Sequence, residues 1–345
     1  MRAIVIHEHG GPEVLQPADI PVPKPSSGEA LVRVKAVSVN GFLDVANRMG
    51  RVAFAQYSFP HVLGSEHAGE VAALGPDAET ALAEGDQVVV SNRITCGSCA
   101  NCRAGREEAC LGLGVIGVTT PGAYAEYSVV PVANLRPLPA GMSHIEASAM
   151  IVNGPLAQHQ LDLADAKAGD WVLVQAGASA SGSMALRAAQ HRACRVIATS
   201  RQDWKRDRLA ELGADAVLDP GQEDFATVVK NVTEGNGAGV AIINIGDPQL
   251  WERTIESVAN RGRIVTSGAM FGERAAFNAR TFYEKSLTII GVRTANREST
   301  ERCWAQIERG LRPVVDQILP LERVADAHRR VEAGLNVGRV VLTVD

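Results

Sequence analysis

Hydrophobic positions in the first part of the chain come in short β-prone runs. "EALVRVKAVSVN", "HAGEVAALG", "GDQVVVSN" and "AYAEYSVVP" are separated by Gly, Pro and Asp turns. "PVPKPSSGE" is a turn-rich connector. This texture predicts an antiparallel, barrel-like region. Near residue 150 it changes. "DWVLVQAGASASGSMALRAAQHRACRVIATS" is an apolar strand, a small-residue turn, a helix and a second apolar strand, the pattern of a βαβ unit. Further apolar strands follow in "ADAVL", "VAIINIG", "GRIVTSG" and "LTIIGV", with helical patterns such as "WKRDRLAELG" and "LWERTIESVAN" between them. Strands without alternation are buried on both faces, as in a parallel sheet covered by helices. "ESTERCWAQIERGL" reads as a late helix and "GRVVLTVD" as a terminal strand. Repeats and low-complexity tracts are absent from the sequence.

A length of 345 residues suggests two domains, each large enough to bury a core. The net charge of −5 gives no reason to expect nucleic acid or an anionic membrane as partner. No apolar run approaches the roughly 20 residues that span a bilayer, and "MRAIVIHEHGGPEVL" lacks the pattern of a signal peptide. Four of six cysteines are clustered; Cys194 and Cys303 stand alone. A disulfide framework would spread them out, so a reducing cytoplasm is expected.

The cluster, "CGSCANCRAGREEAC", has the spacing C-x2-C-x2-C-x7-C. Zinc takes four thiolates in a tetrahedron, and Cys96, Cys99, Cys102 and Cys110 would leave no position open for water or substrate. One structural zinc per chain is the expectation. A redox-active C-x-x-C would open a helix in a thioredoxin-like unit, and the sequence shows none.

This loop, followed by a βαβ dinucleotide unit, resembles the zinc-type medium-chain dehydrogenase/reductase superfamily. "VLGSEHAGEVAALG", "GAYAEYSVVP", "AGDWVLVQAGASASG", "RVIATS", "LAELGADAVL" and "GRVVLTV" carry the resemblance along essentially the whole chain. It implies an α/β protein with a GroES-like β-barrel catalytic domain over 1–151 and 293–345, including the zinc loop 96–110. A Rossmann doubly wound parallel-sheet domain over 152–292 is inserted in it. The expected assembly is a homodimer.

The turn after "WVLVQ" puts Gly177, Ser179 and Gly182 on the three positions of G-x-G-x-x-G. There the first glycine serves the tight turn, the second the approach of the pyrophosphate and the third helix packing. The middle glycine is replaced by Ser179. Ala176, Ser179 and Gly182 also match the A-x-x-G-x-x-G turn of the quinone-reductase branch, with the same departure. Ala180 and Ser181 complete the turn, and Gly246 and Gly268 are further candidate cofactor-lining positions near the ends of later strands. After "RVIATS" stand Ser200 and Arg201, with Lys205 one turn on, where an NAD enzyme usually carries an acid. Hydroxyl plus guanidinium suits a 2′-phosphate and favours NADPH. Asp203 is the alternative that would serve NAD.

Zinc alcohol dehydrogenases of this superfamily carry a second, catalytic zinc. Asn40, Ser65 and Val152 stand where its ligands would be, and none replaces a thiolate or imidazole. His67 falls out of step with the Gly-His-Glu position and reads as a partly exposed strand histidine on the opposite face. Asn40 to Asp44 resembles the N-x-x-D of quinone reductases with one extra residue. Glu66 and Arg339 match a supporting acid–arginine pair. Without an acidic metal, reduction of an activated C=C or a quinone is easier to support than alcohol oxidation. Its enone or quinone oxygen would be held by donors for which Asn40, Asn153, His159 and Tyr57 are candidates. The alternatives are an alcohol dehydrogenase with a rearranged metal site drawn from Glu66, His67 and His159, and a non-enzymatic relative that binds nucleotide or nothing.

Overall fold

A computed structural model describes every residue except 270, 271, 273 and 276. The chain forms two compact units, Met1–Val152 with Pro313–Asp345, and Asn153–Arg312.

The first unit opens with β1 (Arg2–Ile6), β2 (Gln16–Asp19), β3 (Glu29–Ser38), β4 (His61–Val62), β5 (Glu66–Leu74) and β6 (Gln87–Val90). β3 is ten residues long because Ala30, Val32, Val34, Val37 and their neighbours are buried along nearly its whole length. It pairs antiparallel with β5, which pairs with β6. β7 (Arg93–Ile94) and β8 (Gly114–Val115) pair with each other across the cysteine loop, which holds the short helix α1 (Ala100–Arg103). β9 (Tyr127–Pro131) and β10 (Leu135–Pro137) follow. Helix α2 (His144–Met150) starts at a capping box in which Ser143 and Glu146 satisfy each other's backbone N–H groups. It packs on β3 and β5 through Ala149, beside Ala36.

The second unit begins with α3 (Asn153–Leu163) and β11 (Trp171–Val174). It continues through α4 (Ala180–His191), β12 (Arg195–Thr199), α5 (Asp203–Glu211), β13 (Ala216–Leu218), α6 (Phe225–Val232), β14 (Ala238–Ile242), α7 (Pro248–Ser257), β15 (Val258–Thr266), α8 (Ala279–Glu284), β16 (Thr288–Gly291) and α9 (Arg297–Glu308). Its six strands are all parallel, in the order β13-β12-β11-β14-β15-β16. In chain order that is 3-2-1-4-5-6, the doubly wound nucleotide-binding order. Leu173, Ile197, Ala241 and Ile264 are fully buried at its centre.

This unit extends twenty residues beyond the boundary expected at 292. The reason is α9, which lies on α3; Arg302 of α9 bonds to Asp162 of α3 at 2.8 Å. The helix that the sequence places as starting at His159 begins six residues earlier, as α3 from Asn153. Residues 153–161 are all buried, polar ones included, so no amphipathic stripe marks it.

The chain then returns to the first unit with β17 (Val315–Pro320), α10 (Val324–Glu332) and β18 (Arg339–Thr343). β18 pairs with β3, giving a sheet ordered β10-β6-β5-β3-β18-β17, with β9 also on β3. Arg339 opens β18 and Glu66 opens β5. Arg339 Nη2 donates to Glu66 Oε1 and Oε2 at 2.7 and 2.8 Å, and Nη1 to the Val39 carbonyl at 3.2 Å. Both side chains are buried, at 3% and 0% exposure.

Removing one partner of such a pair strands the other charge. Arg339→Ala is expected to destabilise the first unit by about 3–5 kcal/mol. Denaturant unfolding against the wild type measures it; a loss within error of zero would show the pair to be dispensable.

Candidate active site and metal centre

The four cysteine sulfurs lie within 4.8 Å of one another. Cys96 Sγ is 3.9 Å from Cys102 Sγ and 3.6 Å from Cys110 Sγ. Tetrahedral Zn–S bonds of about 2.3 Å require edges of roughly 3.8 Å, so the cluster fits zinc. Backbone N–H groups of Cys99, Cys96 and Cys102 point at Cys96, Cys110 and Cys99 sulfurs at 3.3, 3.4 and 3.5 Å. Hydrogen bonds of this kind bring the Cys96 thiol down to about 6. Burial and the competing thiols push Cys102 up to about 12. A bound cation resolves that conflict by making all four thiolates. Among the described residues this is the one group of three or more His, Cys, Asp and Glu side chains placed to share a metal.

In the second unit the C-terminal ends of β11, β12, β14 and β15 share one edge of the sheet. The turn at Ala176–Gly182, the Ser200–Arg201 pair, and the loops holding Gly246 and Gly268 all lie at that edge. The left-handed backbone of the turn sits at Ala176, with φ +51°, and not at Gly177. A Cβ at Gly177 would touch Ala198 Cβ at 3.0 Å, so that glycine serves packing. A Cβ at Gly182 would lie 2.2 Å from the Ala176 carbonyl oxygen, which only glycine permits. Ser179 neither crowds the turn nor reaches outward. Its hydroxyl caps α4, accepting from Gly182 N at 3.0 Å, and lies 3.4 Å from Ser181 Oγ. Ala180 opens that helix, whose first N–H groups suit an anionic pyrophosphate. A Cβ at Gly246 would lie 1.7 Å from the Gly272 carbonyl oxygen, and one at Gly268 would lie 3.1 Å from that of Asn244.

Sequence reasoning missed the buried network beneath the turn. Thr199 Oγ1 donates to Gln175 Oε1 at 2.7 Å and accepts from Ala176 N at 3.1 Å, while Gln175 Nε2 donates to Thr254 Oγ1 at 2.9 Å. Gln175 and Thr199, polar residues closing apolar runs, were its one signal; Thr254, among the charged residues of α7, gave none. At the β12 end Arg201 is exposed and has no hydrogen bond or ion pair among the described residues. Ser200 Oγ accepts from Gln202 N at 3.3 Å, and Arg206 donates to the Ser200 carbonyl at 2.9 Å. Arg206 also pairs with Asp203, the acid that would have served NAD. Lys205 lies 5.3 Å from the centre of the Trp204 ring.

In the first unit the extra residue between Asn40 and Asp44 is absorbed by a π-turn over Gly41–Ala46, in which Val45 N reaches the Asn40 carbonyl at 3.0 Å. Asn40 Oδ1 accepts from Phe42 N and Leu43 N, both at 2.9 Å, and Nδ2 donates to Glu66 Oε1. One Nδ2 proton is left for a ligand. Asp44, fully buried, accepts from Asn40 N at 2.8 Å and from Ser65 N at 3.1 Å. Burial, with the nearby Glu66 charge, lifts its carboxyl to about 7. Burial also pushes Glu66 upward, with Arg339 and Asn40 pulling it back. The exposure expected for His67 is wrong. It is fully buried, paired in register with Val37 and Val90, and held neutral by burial with a value near 3. Its strand neighbour Glu66 takes the Arg339 side, so His67 turns into the apolar side of the sheet. Tyr57 stacks on His61 at 3.7 Å, and its hydroxyl donates to Asn47 Oδ1 at 3.1 Å, which occupies the donor. Asn153 and His159 are both buried on α3. Six residues apart, they stand about 120° from each other around the helix.

A doubly wound parallel-sheet unit inserted in a barrel-like unit with a four-cysteine loop is the architecture of a class of oxidoreductases. Residues 26–140 match the alcohol dehydrogenase GroES-like domain and residues 180–309 the zinc-binding dehydrogenase domain. The chain is 32% identical to L-threonine 3-dehydrogenase of Pyrococcus horikoshii, over 79% of this chain and 78% of the relative. A solved NAD-dependent alcohol dehydrogenase superposes with a TM-score of 0.93 at 38% identity, over 100% of both chains. A mycobacterial quinone oxidoreductase superposes with 0.80 at 29% identity, over 99% of each. The chain belongs to the zinc-containing alcohol dehydrogenase-like branch of the medium-chain dehydrogenase/reductase superfamily. Among the described residues no helix is long and apolar enough to cross a membrane.

Cys102→Ser is expected to lower zinc from one atom per chain to well below that, and to destabilise the first unit. Metal analysis beside thermal unfolding checks both; full zinc content in the variant would mean the metal is held elsewhere.

Proposed function

We propose that the protein is an NADPH-dependent reductase that passes hydride to an activated C=C or a quinone without a catalytic zinc. One observation carries the reading. At the position of a soft metal ligand stands Asn40, whose carboxamide is already committed to two backbone N–H groups and to Glu66. Ser65 and Val152 add no donor suited to zinc at the other two positions.

The bound nicotinamide supplies hydride. The chain's own residues have two tasks: to hold the cofactor and to stabilise the oxygen on which negative charge collects. For the first, the α4 N-terminus takes the pyrophosphate and Arg201, which has no hydrogen bond or ion pair among the described residues, takes the 2′-phosphate. For the second, Asn153 and His159 are the candidate donors of the second unit, and the remaining Asn40 N–H is a separate candidate in the first. Tyr57 is a weaker choice, because Asn47 already receives its proton.

A second reading has a specific observation behind it: the likeness to threonine and NAD-dependent alcohol dehydrogenases. It would require NAD and a second metal. An oxidation screen of NADPH and NADH against quinones, enones and aldehydes, with zinc counted per chain, separates the two. One zinc and NADPH-linked reduction of an enone or quinone supports the reductase; two metals and NAD-linked alcohol oxidation replaces it.

Arg201→Ala should weaken NADPH by roughly 10–150-fold, the equivalent of about 1.5–3 kcal/mol for a lost charge-assisted hydrogen bond, and leave NADH nearly unchanged. Calorimetric titration of both cofactors reads this directly. Equal losses would show that Arg201 does not distinguish them.

A further inference from the structure

At the C-terminal edge of the parallel sheet a second polar cluster is tied together by hydrogen bonds and leaves one group over. Asn244 lies two residues beyond β14, and Ser267 follows β15 directly. Asn244 Oδ1 accepts from Ser267 N at 2.9 Å, from Ser267 Oγ at 3.0 Å and from Gln160 Nε2 at 3.1 Å. Gln160, on α3 and 1% exposed, gives its other Nε2 proton to Ser267 Oγ at 2.9 Å. These bonds settle which way the Asn244 amide faces. A backbone N–H only donates, so the atom beside Ser267 N is the oxygen, and Nδ2 is turned away from Ser267. Nδ2 has no partner among the described residues. Asn244 is partly exposed and this nitrogen is not enclosed. The backbone on either side is held as well. Gln175 N donates to the Ile242 carbonyl and Trp251 Nε1 to the Ile245 carbonyl, both at 2.9 Å.

β11 and β14 are neighbours in the sheet but not in sequence, so the strand order reverses between them. Open parallel sheets take their ligands at such a reversal, outside the carboxyl ends of the strands, and each half of a doubly wound sheet takes one mononucleotide. We propose that Asn244, held from behind by Gln160 and Ser267, grips the nicotinamide half of the cofactor by donating from Nδ2 to an acceptor oxygen of the nicotinamide nucleoside. Arg201 belongs to the β11–β13 half and serves the adenosine side. Asn244 and Ser267 belong to the β14–β16 half and serve the other. The inference rests on the nicotinamide-cofactor part of the proposed function. It does not depend on the substrate or on the choice between NADPH and NADH, which differ only at the adenosine ribose.

The chemistry of the cluster suits this task. The carboxamide and ribose of a nicotinamide nucleoside offer uncharged acceptor oxygens, and Nδ2 offers two uncharged donors. Hydride transfer needs the ring held in one pose against its acceptor. An asparagine whose oxygen is committed three times over presents its donors in one direction only. Gln160 and Ser267 act through it as positioning residues. None of the three side chains carries a charge, so the cluster itself does not favour the oxidised or the reduced ring electrostatically.

Calorimetric titration tests the assignment without turnover. Wild type and Asn244→Ala are titrated with NADPH and NADH, and with adenosine 2′,5′-bisphosphate and ADP, which keep the adenosine side and lack the nicotinamide. NADPH and NADH should both weaken by roughly tenfold in the variant, the equivalent of about 1.4 kcal/mol for one or two lost hydrogen bonds. The two adenosine fragments should bind the variant as they bind the wild type, which also shows that the unit is folded. Gln160→Met, which loosens the amide without reaching the cofactor, should show the same split with a smaller loss. Unchanged affinity for both dinucleotides in Asn244→Ala, or an equal loss for the fragments, overturns the proposal. If Asn244→Ala does not fold, a crystal structure of the wild type with the tighter-binding dinucleotide decides. Nδ2 within about 3.2 Å of a nicotinamide-nucleoside oxygen is expected; an Nδ2 facing only water or the adenosine side overturns the assignment. Failure of the reductase reading leaves these results unchanged and appears only in the substrate screen.

Discussion

The first unit depends on an ion pair, one Arg339 nitrogen shared between both Glu66 oxygens, linking residues 273 positions apart in sequence. Glu66 opens a strand near the start of the chain, and Arg339 opens the last one. Neither could be buried alone, because an uncompensated charge in the core costs several kcal/mol. Their pairing sets where β18 joins β3, holds Asn40 through the shared carboxylate, and so fixes the π-turn and Asp44. A buried pair of this kind contributes little net stability compared with apolar packing. Its contribution is to define position, since it admits one register of β18 and not its neighbours.

The second unit is organised differently. No ion pair centres it; buried apolar strands and a small polar network do. Thr199, Gln175 and Thr254 satisfy one another under the turn at Ala176, and the left-handed residue there is an alanine, which the surrounding hydrogen bonds must hold in place. The start of α4 is thus held by buried hydrogen bonds within the unit itself.

The fold was largely legible because its signals are local or periodic. Unbroken apolar runs announced the parallel strands, and the cysteine spacing announced a loop that gathers four sulfurs. The start of helix α3 was hidden because Gln158, His159 and Gln160 are buried polar residues, so burial and hydrophobicity disagree there. Long-range pairing hid the domain boundary: only the packing of α9 on α3 shows that residues up to 312 stay in the second unit. Candidate site residues could be named but not their commitments. That Asn40 spends its carboxamide on a turn, that Ser179 caps a helix and that Tyr57 serves Asn47 are facts of three-dimensional contact. His67 misled for the opposite reason: a polar letter in a strand suggests exposure, while its cross-strand neighbours Val37 and Val90 enclose it.

The cysteine loop has a further consequence for the order in which the chain takes shape. Its four ligands fall between Cys96 and Cys110, and the two-strand clasp at its base closes by Val115. A module that local can assemble while the chain is still emerging from the ribosome. The strand that joins β3 in the same unit's sheet, β18, is synthesised only after the whole second unit has been made. The cysteine loop is thus suited to be an early landmark on a growing chain, and β18 joins the same sheet only much later.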